Sequence, residues 1–194
     1  GMVNVPLGYE FATHIPFLLY LYIMKVIISE EQLRKIIDFH LAIDIQGDFP
    51  MLDPKHITKL IKFHKKNNNF DIVVPSSPLK NPAPKSIVKV LMADNKSVLY
   101  LTRAEAPHPY CLKPSFFLKH MSIISFKKDA LLNFNKLRQS KFEKIEGIEL
   151  LRAIENNYKI GSFIINKDIF SVDIKKDYLR ALDLMPSDPY RKKY

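Results

Sequence analysis

The sequence predicts an α/β fold in three layers, whose sheet is mostly parallel and contains one antiparallel hairpin. Short apolar strands alternate with amphipathic helices in the first part of the chain, which is the pattern of parallel α/β proteins. Two further strand patterns flank the turn at residues 94–96 and predict a hairpin over residues 86–102. We expect a single domain over residues 1–194, because a chain of this length can bury one core.

The individual elements follow from hydrophobic periodicity and from turn signals. Ser29 can cap a first helix because Gln32 follows three positions later, and Asp53 followed by a proline opens a second helix. Apolar runs between turn residues predict the strands. The predicted helices cover residues 30–39, 54–65, 129–134, 141–155 and 174–185, and the predicted strands cover residues 41–45, 70–75, 86–92, 97–102, 118–126, 160–165 and 170–173.

The charge of the chain argues against one class of partner. The formal net charge is +10, which by itself would suit an anionic partner. The excess is spread over lysine pairs, without the long basic run that tracks a phosphate backbone. We therefore expect no nucleic-acid partner.

Two features bear on the compartment of the protein. The apolar stretch at residues 15–28 is interrupted by Pro16 and Lys25, and it is shorter than the roughly twenty residues that a membrane-spanning helix needs. We expect no membrane span. The single cysteine, Cys111, excludes an intrachain disulfide and indicates a cytoplasmic protein, in which we expect a buried and inert thiol.

The strongest candidate for a functional site follows the strand at residues 41–45. In open α/β sheets, ligands bind at the carboxyl end of the strands. Gly47 permits a tight turn there, and Asp48 adds a carboxylate of the kind that holds Mg²⁺. A glycine and an aspartate after a strand also form plain turns, and that alternative stays open on these residues alone.

The sequence Gln-Gly-Asp-Phe-Pro at residues 46–50 resembles the Gln-Gly-Asp-Glu-Pro motif of the sugar-acid cytidylyltransferases, above all the CMP-Kdo synthetase type. Further matches come in the same order. They are Asn-Pro at 81–82, Val-Lys-Val at 88–90, Leu-Tyr-Leu-Thr-Arg-Ala at 99–104, the strand at 118–126, the glutamate-rich segment at 143–160 and Ser-Val-Asp at 171–173. The resemblance spans residues 43–184 and implies a Rossmann-like nucleotidyltransferase sheet.

The family also implies a reaction and a cofactor. Its members transfer CMP from CTP to a sugar acid such as Kdo, release pyrophosphate and serve lipopolysaccharide biosynthesis. The matching residues imply that Asp48 and Asp173 are the catalytic carboxylates and hold Mg²⁺ between them. An N-cap for the last helix is the alternative role of Asp173.

The resemblance implies a set of substrate-binding residues as well. Arg103 would sit at the sugar-acid site, and a structural arginine that pairs with a turn acid is its alternative. His120 would face the sugar acid, although a lone histidine on an apolar strand is usually a satisfied core residue. The full set is Gln46, Gly47, Arg103, His120, Glu146 and Glu149. A solvated helix face is the alternative for the two glutamates.

One part of the family pattern is not recognisable. Members begin with a strand and a loop rich in Arg, Ser, Pro, Gly and Lys that wraps the triphosphate of CTP, and residues 2–28 hold one glycine and one lysine. We therefore expect a truncated or rebuilt N-terminal strand, loop and helix. The alternative function is a catalytically impaired relative that binds a nucleotide or sugar, or pairs with another subunit. We also expect a homodimer.

Overall fold

The computed structural model of the protein describes residues 40–79, 85–112, 114–166, 171–172 and 174–190. The predictions for residues 1–39, for the Asn-Pro match and for Asp173 therefore lie outside the described residues. The strands are β1 (Leu41–Ile45), β2 (Ile72–Leu79), β3 (Lys89–Met92), β4 (Val98–Thr102), β5 (Phe117–His120), β6 (Ile123–Lys127) and β7 (Ile160–Ile164). The helices are α1 (Pro54–Lys66), α2 (Lys128–Phe134), α3 (Lys141–Glu146), α4 (Leu150–Glu155) and α5 (Lys175–Leu184), followed by a short 3₁₀ turn at Met185–Ser187.

The prediction of a mostly parallel, Rossmann-like sheet is wrong. The strands are ordered β1-β6-β2-β5-β3-β4, and β7 pairs with β2. Among the described strands only the β2–β7 pairing is parallel, and the other pairings are antiparallel. The physical reason is the connectivity: β3, β4, β5 and β6 follow one another without a helix between them, and a parallel neighbour would need a crossover connection.

Three strands nevertheless run in the same direction. β6 pairs antiparallel with both β1 and β2, so β1 and β2 are parallel to each other on either side of it. β7 is parallel to β2. The carboxyl ends of β1, β2 and β7 therefore meet at one edge of the sheet, which is where the sequence placed the candidate site.

The strand predicted over residues 118–126 is broken in two. β5 and β6 lie end to end along β2, with Ser76 opposite His120 and Ile72 opposite Phe126. The break falls at Ser122, whose φ of 50° belongs to the left-handed region. Because of the break, β6 pairs on its outer side with β1 and β5 pairs with β3.

The predicted hairpin is present as β3 and β4, which pair antiparallel. Lys96 has a φ of 71° in the turn between them. The long helical pattern is divided at Gly147, which ends α3 with a φ of 64°. Ser140 opens α3 with a capping box, because its hydroxyl accepts the N–H of Glu143 and the Glu143 carboxylate accepts the N–H of Ser140.

The sheet buries side chains on both of its faces. On one face, Leu60 of α1 packs with Val73 and Ile123. On the other face, Phe134 of α2 and Leu151 of α4 pack with the alternate strand residues Ile72, Val74 and Phe126. This alternation follows from the period of two in a strand and fixes the register of β2.

Two histidines of α1 are buried. His56 and His64 lie on the inner side of α1. His64 is 1% exposed, its Nε2–H donates to the Phe70 carbonyl at 3.1 Å, and its Nδ1 accepts from the Ser125 hydroxyl at 2.7 Å. Burial lowers the pKa of His64. It is a neutral core histidine that joins α1 to β6.

Candidate active site

The loop after β1 begins at the break between β5 and β6. The N–H of Gln46 donates to the Ser122 carbonyl at 3.4 Å, and the N–H of Ser122 donates to Nδ1 of His120 at 3.1 Å. Two of the residues predicted from separate motifs, Gln46 and His120, are thus joined through Ser122. Gly47 and Asp48 follow directly in the same loop, with Gly47 exposed and Asp48 partly buried.

The same loop contacts the segment near the end of the chain. The N–H of Val172 donates to the backbone carbonyl of Asp48 at 2.9 Å. Val172 immediately precedes Asp173, which lies outside the described residues. The backbone contact therefore brings the first acidic motif of the sequence to the neighbour of the second.

His120 has the electrostatics of a neutral hydrogen-bond donor. Its Nδ1 accepts from Ser122, so the hydrogen-bond network assigns the ring proton to Nε2. Nε2 is buried, and it has no partner among the described residues. Burial lowers the pKa of His120 from 6.5 to about 4, so the ring is neutral at pH 7. A ligand oxygen could accept the Nε2–H.

The remaining predicted residues form a second group, where β4 ends against α3. The Glu146 carboxylate accepts the Thr102 hydroxyl at 2.6 Å and the backbone N–H of Arg103 at 2.9 Å. The guanidinium of Arg103 donates to the carbonyls of Ser86, Glu146 and Gly147. This is the geometry of a structural arginine, and a contact between Arg103 and substrate stays a prediction. Glu149 is exposed at the start of α4.

A residue between the two groups was not assigned a role from the sequence. Lys89 on β3 is 1% exposed, and its Nζ donates to the carbonyls of Ile87 at 2.8 Å and Arg103 at 2.6 Å. Burial, followed by the nearby charge of Arg103, lowers the pKa of Lys89. The Val-Lys-Val match contained this residue, but a lysine on an apolar strand gave no sign that it would be buried.

Ser122 was also missed as a positioning residue. Its left-handed backbone turns the chain so that its carbonyl meets Gln46 and its N–H meets His120. A glycine, which adopts positive φ without strain, would have marked this turn in the sequence. A serine in the same place hid the turn.

Among the described residues, no three His, Cys, Asp or Glu side chains lie close enough together to hold a metal ion. Cys111 is a free and exposed thiol, which corrects the expectation that it is buried. The described helices include none long and apolar enough to cross a membrane.

The structure combines a mixed sheet with a Gln-Gly-Asp loop at the carboxyl edge of its parallel strands, and a comparison with protein families identifies the class of protein. The sequence model of the cytidylyltransferase family matches residues 26–160, and the chain belongs to that family. The resemblance stated from the motifs is therefore confirmed.

The chain is similar in sequence to individual members of this family. The chain is 33% identical over 147 residues to the 3-deoxy-manno-octulosonate cytidylyltransferase of Rickettsia prowazekii, covering 75% of this chain and 58% of that protein. It is 28% identical over 159 residues to the enzyme of the same name from Fusobacterium nucleatum, covering 79% and 64%. The chain thus spans less than two thirds of the length of these relatives.

The fold is shared with a solved relative. A structure of CMP:2-keto-3-deoxy-manno-octonic acid synthetase complexed with CTP superposes with a TM-score of 0.74 at 24% sequence identity. The match covers 81% of this chain and 67% of that chain. The mixed strand order described above is therefore one that a cytidylyltransferase can adopt.

Proposed function

We propose that this protein transfers CMP from CTP to a sugar acid such as Kdo and releases pyrophosphate. Its membership of the cytidylyltransferase family and its likeness to the 3-deoxy-manno-octulosonate cytidylyltransferases support the proposal. The structural observation that carries it is the hydrogen bond from the N–H of Val172 to the carbonyl of Asp48, because it joins the two acidic motifs at one edge of the sheet.

Asp48 and Asp173 are proposed as the residues that hold Mg²⁺. The chemistry of the donors fits, since Mg²⁺ takes one or two carboxylates and completes its shell with waters and substrate phosphates. Asp48 is partly buried beside Val172, which suits a carboxylate that faces a bound group. When bound, Mg²⁺ supplies positive charge against the phosphates.

The sugar acid is proposed to bind beside His120. Its hydroxyl would attack the α-phosphorus, the bond to pyrophosphate would break, and pyrophosphate would leave. The neutral ring of His120 can donate its Nε2–H to an oxygen of the sugar, and Gln46 and Gly47 can contact the substrate from the loop. The enzyme would accelerate this reaction mainly by holding the substrates in position. Hydrogen bonds that fix the loop, such as that between Gln46 and Ser122, would therefore contribute to catalysis.

Arg103, Glu146 and Glu149 are proposed as the outer part of the sugar-acid site. Glu146 fixes the backbone of Arg103, and Arg103 carries a positive charge next to the carbonyls that it binds. A carboxylate of the substrate would be attracted to that charge. Glu149 is exposed and can accept a hydroxyl of the sugar.

The proposal is tested by calorimetric titration with CTP, with and without Mg²⁺. The Asp48→Asn variant removes the charge with little change in shape, and Asp44→Asn is the matched control because Asp44 is an exposed aspartate on β1, the strand that leads into the loop of Asp48. We expect magnesium-dependent binding in the wild type and in the control, and its loss in Asp48→Asn. A pyrophosphate-release assay with Kdo then tests the transfer itself.

The outcomes separate the enzyme from its impaired alternative. Binding of CTP with pyrophosphate release on addition of Kdo supports the enzyme. Binding without release, with intact protein, supports a relative that holds the nucleotide and has lost catalysis. Absence of binding in the wild type contradicts the proposal.

We also propose that the protein works as a homodimer in the cytoplasm. The free, exposed thiol of Cys111 suits a reducing compartment. Large apolar side chains are exposed at Leu99, Tyr110 and Leu112, and exposed apolar groups favour association. Light scattering during gel filtration should give twice the chain mass of 22.6 kDa, whereas a value equal to that mass would contradict the dimer.

A further inference from the structure

A cavity opens between the first turns of α1 and the end of β7. Its volume is about 380 Å³, which lies within the range of small-ligand sites. Its lining residues are Asp53, Lys55, His56, Lys59, Ile164, Ile165 and Asn166. Because α1 follows the loop that leaves β1, and β7 shares its direction with β1, the cavity lies at the same edge of the sheet as Asp48.

The cavity is lined by two cations. Lys55 and Lys59 are four residues apart on α1, so their side chains share a face of the helix. Both are exposed, and the first turn of α1 has no acidic residue. Like charges at this spacing repel each other, and an anion bound between them would relieve the repulsion.

Asp53, the acidic residue in the wall of the cavity, accepts hydrogen bonds from within the protein. Oδ1 of Asp53 accepts the backbone N–H of Lys55 at 2.9 Å and the hydroxyl of Tyr190 at 3.1 Å. The carbonyl of Asp53 accepts the N–H of His56 at 2.8 Å. The amides of Lys55 and His56 are thus used within the protein, and the side chains of Lys55, Lys59 and Asn166 are the hydrogen-bond donors of the lining that the proposal uses.

These groups match the chemistry of a phosphate chain. An ammonium is a compact point charge, and two of them suit a ligand with several negatively charged oxygens. The amide of Asn166 is exposed at the rim and can donate to one more oxygen. Ile164 and Ile165 form an apolar wall that strengthens the electrostatic attraction by excluding water on that side.

We propose that this cavity binds a diphosphate group, either the two terminal phosphates of the nucleotide or the pyrophosphate that leaves. The identity of the nucleotide rests on the proposed function, whereas binding of the diphosphate group does not. Neither Lys55 nor Lys59 belongs to the motifs that define the resemblance. The cavity would supply cations at the edge of the sheet where the transfer takes place.

The test is calorimetric titration of the full chain with inorganic pyrophosphate, without CTP. The variant Lys55→Gln with Lys59→Gln removes both charges and keeps good helix formers. The matched control is Lys62→Gln with Lys66→Gln, because these exposed lysines have the same spacing on the same helix and do not line the cavity. We expect at least a tenfold loss of affinity in the first variant and less than a twofold change in the control.

Each outcome decides the matter. An equal loss in both variants would mean general attraction to a basic helix and would overturn the proposal, as would the absence of pyrophosphate binding in the wild type. If the double variant does not fold by circular dichroism, the two single variants take its place, and each should weaken binding. Pyrophosphate binding that depends on the cavity, in a protein that does not bind CTP, would keep this inference and reject the proposed function.

Discussion

Glu143 and Arg152 form an ion pair with two contacts between α3 and α4. Nε of Arg152 lies 2.8 Å from Oε2 of Glu143, and Nη2 lies 2.5 Å from Oε1. The side chain of Glu143 is 3% exposed. The guanidinium also stands 5.2 Å from the centre of the Phe134 ring, so the pair ties both helices to the core.

Replacing Glu143 by glutamine should destabilise the protein. The substitution leaves Arg152 charged in a mostly buried place without its partner, which typically costs about 3 kcal/mol. Urea denaturation followed by circular dichroism measures the loss. Asp183→Asn is the control, because Asp183 is exposed on α5, and it should change the free energy of unfolding by less than about 0.5 kcal/mol. Equal effects of the two substitutions would contradict the role of the pair.

The same pair should make stability depend on acid. The hydrogen bonds from Arg152 hold the pKa of Glu143 below its ordinary value of 4.5. Below pH 4.5 the unfolded chain takes up a proton that the folded protein refuses, so stability is present above that pH and is lost as the pH falls further. Urea midpoints measured from pH 6 to pH 3 should decline below pH 4.5 in the wild type and less steeply in Glu143→Gln.

His120 should make the stability of the protein depend on pH in a second, higher pH range. Its pKa falls from 6.5 to about 4 on folding, so the unfolded chain binds the proton first, and stability declines as the pH falls from 6.5 to about 4. We expect the urea midpoint of His120→Gln to vary less with pH over that range. His108 is exposed, and the His108→Gln control should keep the slope of the wild type. An unchanged slope in His120→Gln would contradict the burial of the ring.

Gly161 on β7 should not tolerate a side chain. A Cβ at this position would lie 2.4 Å from Cδ2 of Phe70, whose ring is buried in the core on the α1 side. Gly161→Ala should therefore cost about 1–3 kcal/mol by overpacking, measured by thermal denaturation.

Two further variants check the cause. Gly161→Ala should lower the free energy of unfolding less in the Phe70→Leu protein than in the wild type, because the smaller leucine side chain leaves room for the methyl group. Gly147 has open space around its Cβ position and a φ of 64°, so Gly147→Ala should show only the backbone cost of about 1–2 kcal/mol. Full additivity of the Gly161 and Phe70 substitutions would contradict the clash.

Glu146→Gln should separate structure from substrate binding. The Thr102 hydroxyl and the N–H of Arg103 reach different oxygens of the carboxylate, and an amide has only one oxygen, so one partly buried hydrogen bond is weakened or lost at a cost of about 1–2 kcal/mol. If the outer site holds the sugar acid, the KM for Kdo should rise while kcat changes little. An unchanged KM in a folded variant would leave Glu146 with a purely structural role.

Local patterns predicted local structure. The hairpin of β3 and β4 and the start of α1 at Asp53 depend on residues close together in the sequence, and both are present. The strand directions were wrong because they depend on β6 entering between β1 and β2, and no short pattern encodes that pairing. The burial of His64 is likewise set by a distant residue, since its partner Ser125 is 61 residues away.

The candidate site could be inferred from the sequence only where motifs resemble the family. The resemblance assigned Gln46 and His120 to one site, which stays a prediction, and hydrogen bonds through Ser122 connect the two residues in the structure. The cavity beside α1 was not foreseen, because Lys55 and Lys59 acquire their wall only from β7, about a hundred residues later. Charged residues on a helix give no sign by themselves of what will lie opposite.

The bond between Tyr190 and Asp53 has a consequence for how the protein is made. Its partners are 137 residues apart, and Asp53 is the N-cap of α1. A ribosome delivers α1 long before it delivers the tyrosine that completes the cap. During synthesis the start of α1 therefore relies on the Lys55 amide and on core packing, and the hydrogen bond to Tyr190 forms only after a further 137 residues have been made.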